Sequence, residues 1–412
     1  MREPCPDSRR KQEHRSFRQG TTDAGPSPAN PPVQIRPPLT RPFKFVPTLG
    51  AEWSLPPTMP DTSTKDDWNP MLEAVQLGRS GLRVSRLALG TMNLGVPGRG
   101  HQGDWTLGID DARPIIAGAL ERGLFTFDCA DIYGLGASEE VLGALLRELA
   151  PRDEYVLATK VSMPLGRGAN KGGLSRKHIM EGVDASLRRL GHDYIDQLVI
   201  HRHPHGIPGA AAGAIEETLE ALHDLVRAGK VLYLGASSMF AWQFTELQMT
   251  AKANHWTQFV SMQNHWNLIY REEEREMVPY CASTDVAVMP WSPLARGILA
   301  GAYRGGLGGG TTARSSGQDR ARTGSLYRGE MDFAIADRVI EVADRLGVKP
   351  AQISLAWLLS KPEVTAPVVG VSKLSQLVDL VAACSLTLEA NDIAYLEELY
   401  QPLTNLLSIG MS

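Results

Sequence analysis

Cysteine is scarce: Cys5, Cys129, Cys281 and Cys384 are the four in 412 residues, and no two form a C-x-x-C pair. That excludes a cysteine zinc site and a disulfide scaffold, and it suits a reducing cytoplasm. No run of about eighteen apolar residues occurs, so a membrane-spanning helix is excluded. Positive charge is also lacking. A net of -4 gives no footing for nucleic-acid binding. There is no internal repeat, and no G-x-G-x-x-G follows a strand pattern, so a Rossmann-type dinucleotide fold is not indicated. With 43% hydrophobic and 21% charged residues, the remaining picture is a soluble globular chain.

The averages conceal a break. Residues 1–70 hold 14 of the 27 prolines, and residues 1–50 carry nine Lys or Arg against four Asp or Glu, a net of +5. The rest of the chain carries 33 basic and 42 acidic residues, a net of -9. A proline-dense segment without periodic apolar spacing cannot bury enough surface to offset its ordering entropy. The sequence therefore predicts a long disordered N-terminal extension over 1–70 and a folded domain over 71–412. Glu3, Asp7, Glu13 and the prolines argue against a transit peptide, and no apolar core marks a secretory signal. Met59 and Met71 are alternative starts.

From residue 71 onward, short apolar runs alternate with amphipathic stretches. Strands are predicted at Arg86–Leu89, Leu124–Asp128, Tyr155–Lys160, Ile195–Ile200, Val231–Gly235, Phe259–Met262, Val286–Pro290 and Ala366–Val369. Helices are clearest at Asp110–Arg122, Ser138–Leu149 (begun by Ser138-Glu139-Glu140), Ser175–Leu190, Ala214–Ala228 and Ala241–Ala253. Eight strand-then-helix units close a parallel (β/α)8 TIM barrel of the α/β class. Val75–Leu77 and Leu82–Val84 flank Gly78-Arg79-Ser80-Gly81, a predicted β-hairpin ahead of the barrel. The long interval before the last strand contains Gly305-Gly306-Leu307-Gly308-Gly309-Gly310. Lacking a preceding strand, this run reads as a loop at the barrel mouth.

Catalytic groups of such barrels sit at the C-terminal strand ends. Strand two ends in Asp128-Cys129-Ala130-Asp131-Ile132-Tyr133, strand three in Thr159-Lys160 and strand four in Ile200-His201. Singly, Lys160 could snorkel and Tyr133 could be a half-buried loop aromatic. Together, an Asp, a Tyr, a Lys and a His at neighbouring strand ends form a candidate acid/base site.

Several long segments in fixed order make the chain similar to the aldo-keto reductases over residues 73–400. They are Leu77-Gly78-Arg79-Ser80-Gly81-Leu82-Arg83-Val84-Ser85, the run through Asp128 and Tyr133, and Ala137-Ser138-Glu139-Glu140-Val141-Leu142-Gly143. Further along come Gly235-Ala236-Ser237-Ser238, Gln263-Asn264-His265-Trp266-Asn267-Leu268 and Trp291-Ser292-Pro293-Leu294-Ala295-Arg296-Gly297. Tyr270–Met277 resembles a bacterial branch of oxidoreductases. The resemblance implies reversible hydride transfer between a nicotinamide cofactor, NADP with NAD possible, and a small carbonyl substrate. Asp128, Tyr133, Lys160 and His201 take the four catalytic positions. Tyr133 is the general acid, Lys160 lowers its pKa, Asp128 holds Lys160, and His201 orients the carbonyl oxygen. The resemblance likewise implies cofactor contacts from Gly90, Thr91, Met92, Ser237, Ser238 and Gln263. Trp291 takes the place of the ring-stacking aromatic, with Ser292, Leu294, Arg296 and Gly297 along the pyrophosphate. Gly370, Ser372, Lys373 and Gln376 lie at the adenosine end.

Three departures stand out. Gly209-Ala210-Ala211-Ala212-Gly213-Ala214 is an insertion near the substrate rim, Gln376 replaces a common phosphate-gripping arginine, and Leu232 also replaces an arginine. Lys373, with Ser372 as helix cap, offers a weaker phosphate grip. Two rival readings remain. One is a cofactor-binding regulatory subunit with little turnover. The other is a metal-dependent barrel hydrolase begun by His201 and His203, which no acid after strand eight completes. No metal is expected.

Overall fold

Polypeptide alternation of strand and helix produces the expected barrel. The computed structural model describes residues 72–100, 105–206, 215–304, 306–307, 319–327 and 329–402. The expected extension over 1–70, the Gly209–Ala214 tract and most of the Gly305–Gly310 run lie outside the described residues.

A two-stranded antiparallel hairpin comes first, β1 (Ala74–Gln76) and β2 (Arg83–Ser85), with Val75 opposite Val84. Eight parallel strands follow: β3 (Ala88–Gly90), β4 (Thr126–Asp128), β5 (Val156–Val161), β6 (Ile195–Ile200), β7 (Val231–Ser237), β8 (Phe259–Gln263), β9 (Ala287–Val288) and β10 (Val368–Val369). They pair in the order β10-β3-β4-β5-β6-β7-β8-β9. Bridges from Val288 to Val364 and from Trp291 to Val368 join the two edges, with Val368 N–H donating to Pro290 O at 2.8 Å. The sheet thus closes into a (β/α)8 barrel, and closure leaves no unpaired edge.

The flanking helices bury apolar stripes against it. In α1 (Ile109–Leu120) the buried face is Ala112, Ile115, Ile116 and Ala119, and in α4 (Ile215–Arg227) it is Thr218, Leu219, Leu222 and Leu225. The helix α3 (Arg176–Leu190) opens with Ser175 accepting from His178 N–H and closes at Gly191 in the left-handed region. The helix α2 (Ala137–Leu149) starts one residue earlier than the sequence suggests. Gly136 holds the cap position, and the Ser138 hydroxyl donates instead to Thr91 O at 2.6 Å.

The hairpin shuts the end of the barrel opposite the catalytic mouth. Arg79 N–H donates to Asp285 O at 2.8 Å, and a Cβ on Gly78 would fall 2.6 Å from that same oxygen and 2.7 Å from Val260 O. Only glycine permits this approach at φ +54. Leu77 and Val84 pack there with Val156, Val260, Ala287 and Ala366.

Candidate active site

Strand register brings the acid and the base together. Gly90 pairs with Asp128, Asp128 with Ala158, and Lys160 with Val199, so the functional groups stand on neighbouring strand ends. Lys160 is 1% exposed and Asp128 2%. Lys160 Nζ lies 2.5 Å from Asp128 Oδ2, donates to Cys129 O at 2.9 Å, and stands 3.4 Å from Tyr133 Oη. The His201 ring meets Tyr133 edge-to-face at 5.9 Å, and the backbone N–H of His201 donates to Val161 O at 3.0 Å. The four expected residues therefore converge.

Tyr133 is aimed by an unusual turn. Gly134, Leu135 and Gly136 are all left-handed, at φ 58, 51 and 90, which reverses the chain between β4 and α2. A side chain on Gly136 would collide with Arg189. Arg189 Nε donates to Glu139 Oε2 at 2.6 Å, and Thr159, next to Lys160, donates to Glu139 Oε1 at 2.6 Å. A fully buried Glu139 thus bolts the start of α2 to β5 and α3. Asp131 lies nearby, also fully buried, with neither side-chain oxygen hydrogen-bonded to a side chain. Burial first, then Glu139, push its carboxyl well above the usual range. In the sequence alone Glu139 is legible as a helix-start charge, and Asp131 and Arg189 carry no visible role. Their partners are remote in the chain.

The electrostatics differ from expectation in one respect. Burial is the largest influence on Tyr133 and raises its pKa, with Lys160 pulling the other way. The net direction is up. For Lys160, burial acts downward, but Asp128 and Tyr133 together carry the ammonium up to about 12. The site thus rests with a neutral phenol beside a cation.

The expected cofactor residues form three groups. Ser237, Ser238, Gln263 and Trp291 come together: Ser237 Oγ donates to Gln263 O at 2.8 Å, Trp291 Nε1 donates to Ser238 Oγ at 2.9 Å, and Ser238 N–H donates to Asn264 Oδ1 at 3.0 Å. Gln263 Nε2 also donates to Asp128 Oδ1 at 2.9 Å, which ties this group to the acid. Thr91 is turned to the β4 end, where its N–H and hydroxyl both donate to Asp128 O, at 2.9 and 3.1 Å. Gly90 lies against Val368, and Asn93 Nδ2 donates to Val371 O at 2.7 Å, so Gly90–Met92 neighbour the segment that includes Gly370. Leu294, Arg296 and Gly297 form a turn after β9. Ser292, Ala295, Arg296 and Gly297 all have positive φ there, and Arg296 Nε donates to Thr323 Oγ1 at 3.2 Å.

The adenosine end needs a correction. The last barrel helix runs Leu374–Ala383, Lys373 rather than Ser372 is its cap residue, and no side chain caps it. Gln376 reaches back instead, its Oε1 accepting from Ser372 N–H at 2.8 Å and from the Ser372 hydroxyl at 3.2 Å. The glutamine satisfies the turn, leaving Lys373 exposed. Among the described residues no group of three His, Cys, Asp or Glu is arranged to hold a metal ion, and no helix is long and apolar enough to cross a membrane.

The Aldo/keto reductase family model matches residues 86–401. The versiconal hemiacetal acetate reductase of Aspergillus parasiticus is 44% identical over 351 residues, covering 80% of this chain and 98% of that protein. An aldo-keto reductase of Fusarium vanettenii and the aldo-keto reductase AMT2 of Alternaria alternata are each 40% identical over 79% of this chain, covering 90% and 91% of their own lengths. These relatives are fungal, which overturns the bacterial branch suggested by Tyr270–Met277. That run is too short and too charge-rich to separate branches. The matched barrel, together with the side chains gathered at its mouth, shows that the chain belongs to the aldo/keto reductase family.

Proposed function

We propose that the protein reduces an aldehyde or ketone to its alcohol with NADPH, using Tyr133 as general acid. The observation that carries this is the buried series Asp128–Lys160–Tyr133 with His201 against the phenol. When bound, the reduced nicotinamide supplies the hydride to the carbonyl carbon. Tyr133 is kept protonated by its burial and gives its proton to the developing alkoxide. Lys160 then stabilises the phenolate, and Asp128 keeps the ammonium in place. His201 hydrogen-bonds the carbonyl oxygen and orients it.

The residues suit the cofactor. Trp291 is half-buried with His265 covering one face, so an aromatic ring can lie on the other. Ser237, Ser238 and Gln263 carry amide-matching donors and acceptors, and the left-handed turn at Arg296–Gly297 turns backbone towards the phosphate path. Lys373 at a helix start favours the 2′-phosphate of NADPH over NADH by a modest margin. Cys129, Cys281 and Cys384 are free thiols, which fits a cytoplasmic setting. We further propose that 1–70 is an extension separate from the barrel domain.

The test is Tyr133→Phe, which keeps the aromatic surface and removes the proton. NADPH consumption across aldehydes and ketones should fall in kcat by about a hundredfold or more. NADPH affinity, read by protein fluorescence, should hardly move. Retention of most turnover would remove Tyr133 from the chemistry.

A further inference from the structure

Three rings lie parallel beside the proposed nicotinamide face. His265 stacks on Trp291 with centroids 4.2 Å apart at 7°, and on Tyr270 at 4.1 Å and 14°. Tyr327 meets the imidazole edge-on, with its hydroxyl 2.5 Å from Nε2. Asn267 Nδ2 donates to the same hydroxyl at 3.1 Å and to Ser292 O at 2.9 Å. Asn267 Nδ2 also stands 3.3 Å from His265 Nε2, so the hydroxyl, the amide and the imidazole form one buried cluster. Burial, followed by the charge of Arg296, holds His265 down at about 3, so the neutral form persists.

Tyr327 stands 62 residues beyond His265, after the long segment that follows β9. It directly follows the helix Asp319–Leu326. Tyr327 and Thr323 are both buried, and Thr323 accepts from Arg296 Nε. One short helix is thereby docked on the ring stack and on the turn expected to carry the pyrophosphate.

We propose that His265 and Tyr327 are positioning residues that set the plane of Trp291, so that nicotinamide affinity depends on Tyr327 being docked. The inference rests on the NADPH reading above. Trp291 is held at one edge by its bond to Ser238, and an indole fixed at an edge alone can still tilt. The imidazole behind it removes that freedom, so less ordering is left to be done when the nicotinamide arrives. Tyr327 fixes the imidazole in turn.

The test compares two probes on Tyr327→Phe, His265→Ala and His265→Phe. NADPH spans the whole cleft, whereas 2′,5′-ADP occupies only the adenosine end. Titration calorimetry should show the NADPH dissociation constant rising roughly tenfold in Tyr327→Phe and His265→Ala, the scale of one buried hydrogen bond or ring contact. His265→Phe restores a flat ring and should recover most of the loss. The 2′,5′-ADP constant should stay within about twofold of the parent in all three, because the adenosine end does not meet the stack. Unchanged NADPH binding in Tyr327→Phe and His265→Ala would overturn the inference. So would equal losses for both probes, which mark general loosening. A parent protein that binds no NADPH would instead overturn the reading on which the inference rests.

Discussion

Replacing Lys160 with methionine isolates what its charge does. Methionine has nearly the same length and no charge, so little cavity forms at a site only 1% exposed. The ion pair with Asp128 and the donations to Cys129 O and Tyr133 Oη are lost together. Asp128 keeps the donation from Gln263 but faces no cation. Breaking a buried pair from one side costs about 3–5 kcal/mol. Urea unfolding of Lys160→Met should therefore show a loss near about 4 kcal/mol. Asp128→Asn in the same chain removes the stranded charge and should return most of the stability. Neither variant should turn over: without the ammonium beside it, the phenolate is unsupported, and kcat should fall on the order of a thousandfold. A Lys160→Met protein as stable as the parent at pH 7, or one within tenfold of its turnover, would refute the reasoning.

Three further outcomes are expected. Lys373→Ala should weaken NADPH by about 1–2 kcal/mol and leave NADH almost unchanged, the difference of one charge-assisted contact; equal losses would show that Lys373 does not meet the phosphate. Holding His265 at about 3 in the fold, below an ordinary value near 6.5, makes unfolding take up a proton as the pH falls. Its contribution is fully present above pH 6.5 and is lost between there and about pH 3, so His265→Phe should flatten the acid limb of a stability-against-pH curve. A chain beginning at Met71 keeps Leu72, whose N–H donates to Arg122 O at 2.9 Å, and the whole hairpin. It should melt within a few degrees of the full chain and keep its turnover, and loss of soluble protein would show that the preceding residues are needed for folding.

Long apolar runs were legible. Ile195–Ile200 is the strand the sequence predicts: both of its faces are buried, and Asp196 and Gln197, which interrupt the apolar residues, are paired with Arg152 and Ser261. Short strands shifted. The sequence pattern places Arg86 in a strand, but its guanidinium turns away to Val364 O and Thr365 O, and β3 begins at Ala88. The expected Val286–Pro290 strand shrinks to Ala287–Val288, with proline unable to donate to a ladder. At the site, the strand-end rule located Asp128, Lys160 and His201, since one residue at each of three strand ends is a local pattern. The supports were not legible. Glu139 meets Arg189 across 50 residues, and His265 meets Tyr327 across 62. No spacing announces such pairs, which exist only once the barrel has closed.

The left-handed residues at the mouth bear on how this enzyme can change. Among the described residues, eight other than glycine have positive φ, and six of them, Leu135, Ser162, Ser238, Ser292, Ala295 and Arg296, follow the C-terminal ends of barrel strands. Each such residue costs roughly 1–2 kcal/mol relative to a relaxed backbone. The rim of the pocket is thus the part of the chain furthest from conformational ease. Glycine at Ser292 or Ala295 would release that tension and offer an easy gain in heat resistance. The same relaxation would let the turn proposed to carry the cofactor phosphates, and the edge of the indole, wander. Thermal robustness and hydride chemistry therefore draw on the same few backbone angles, and selection for one at these positions works against the other.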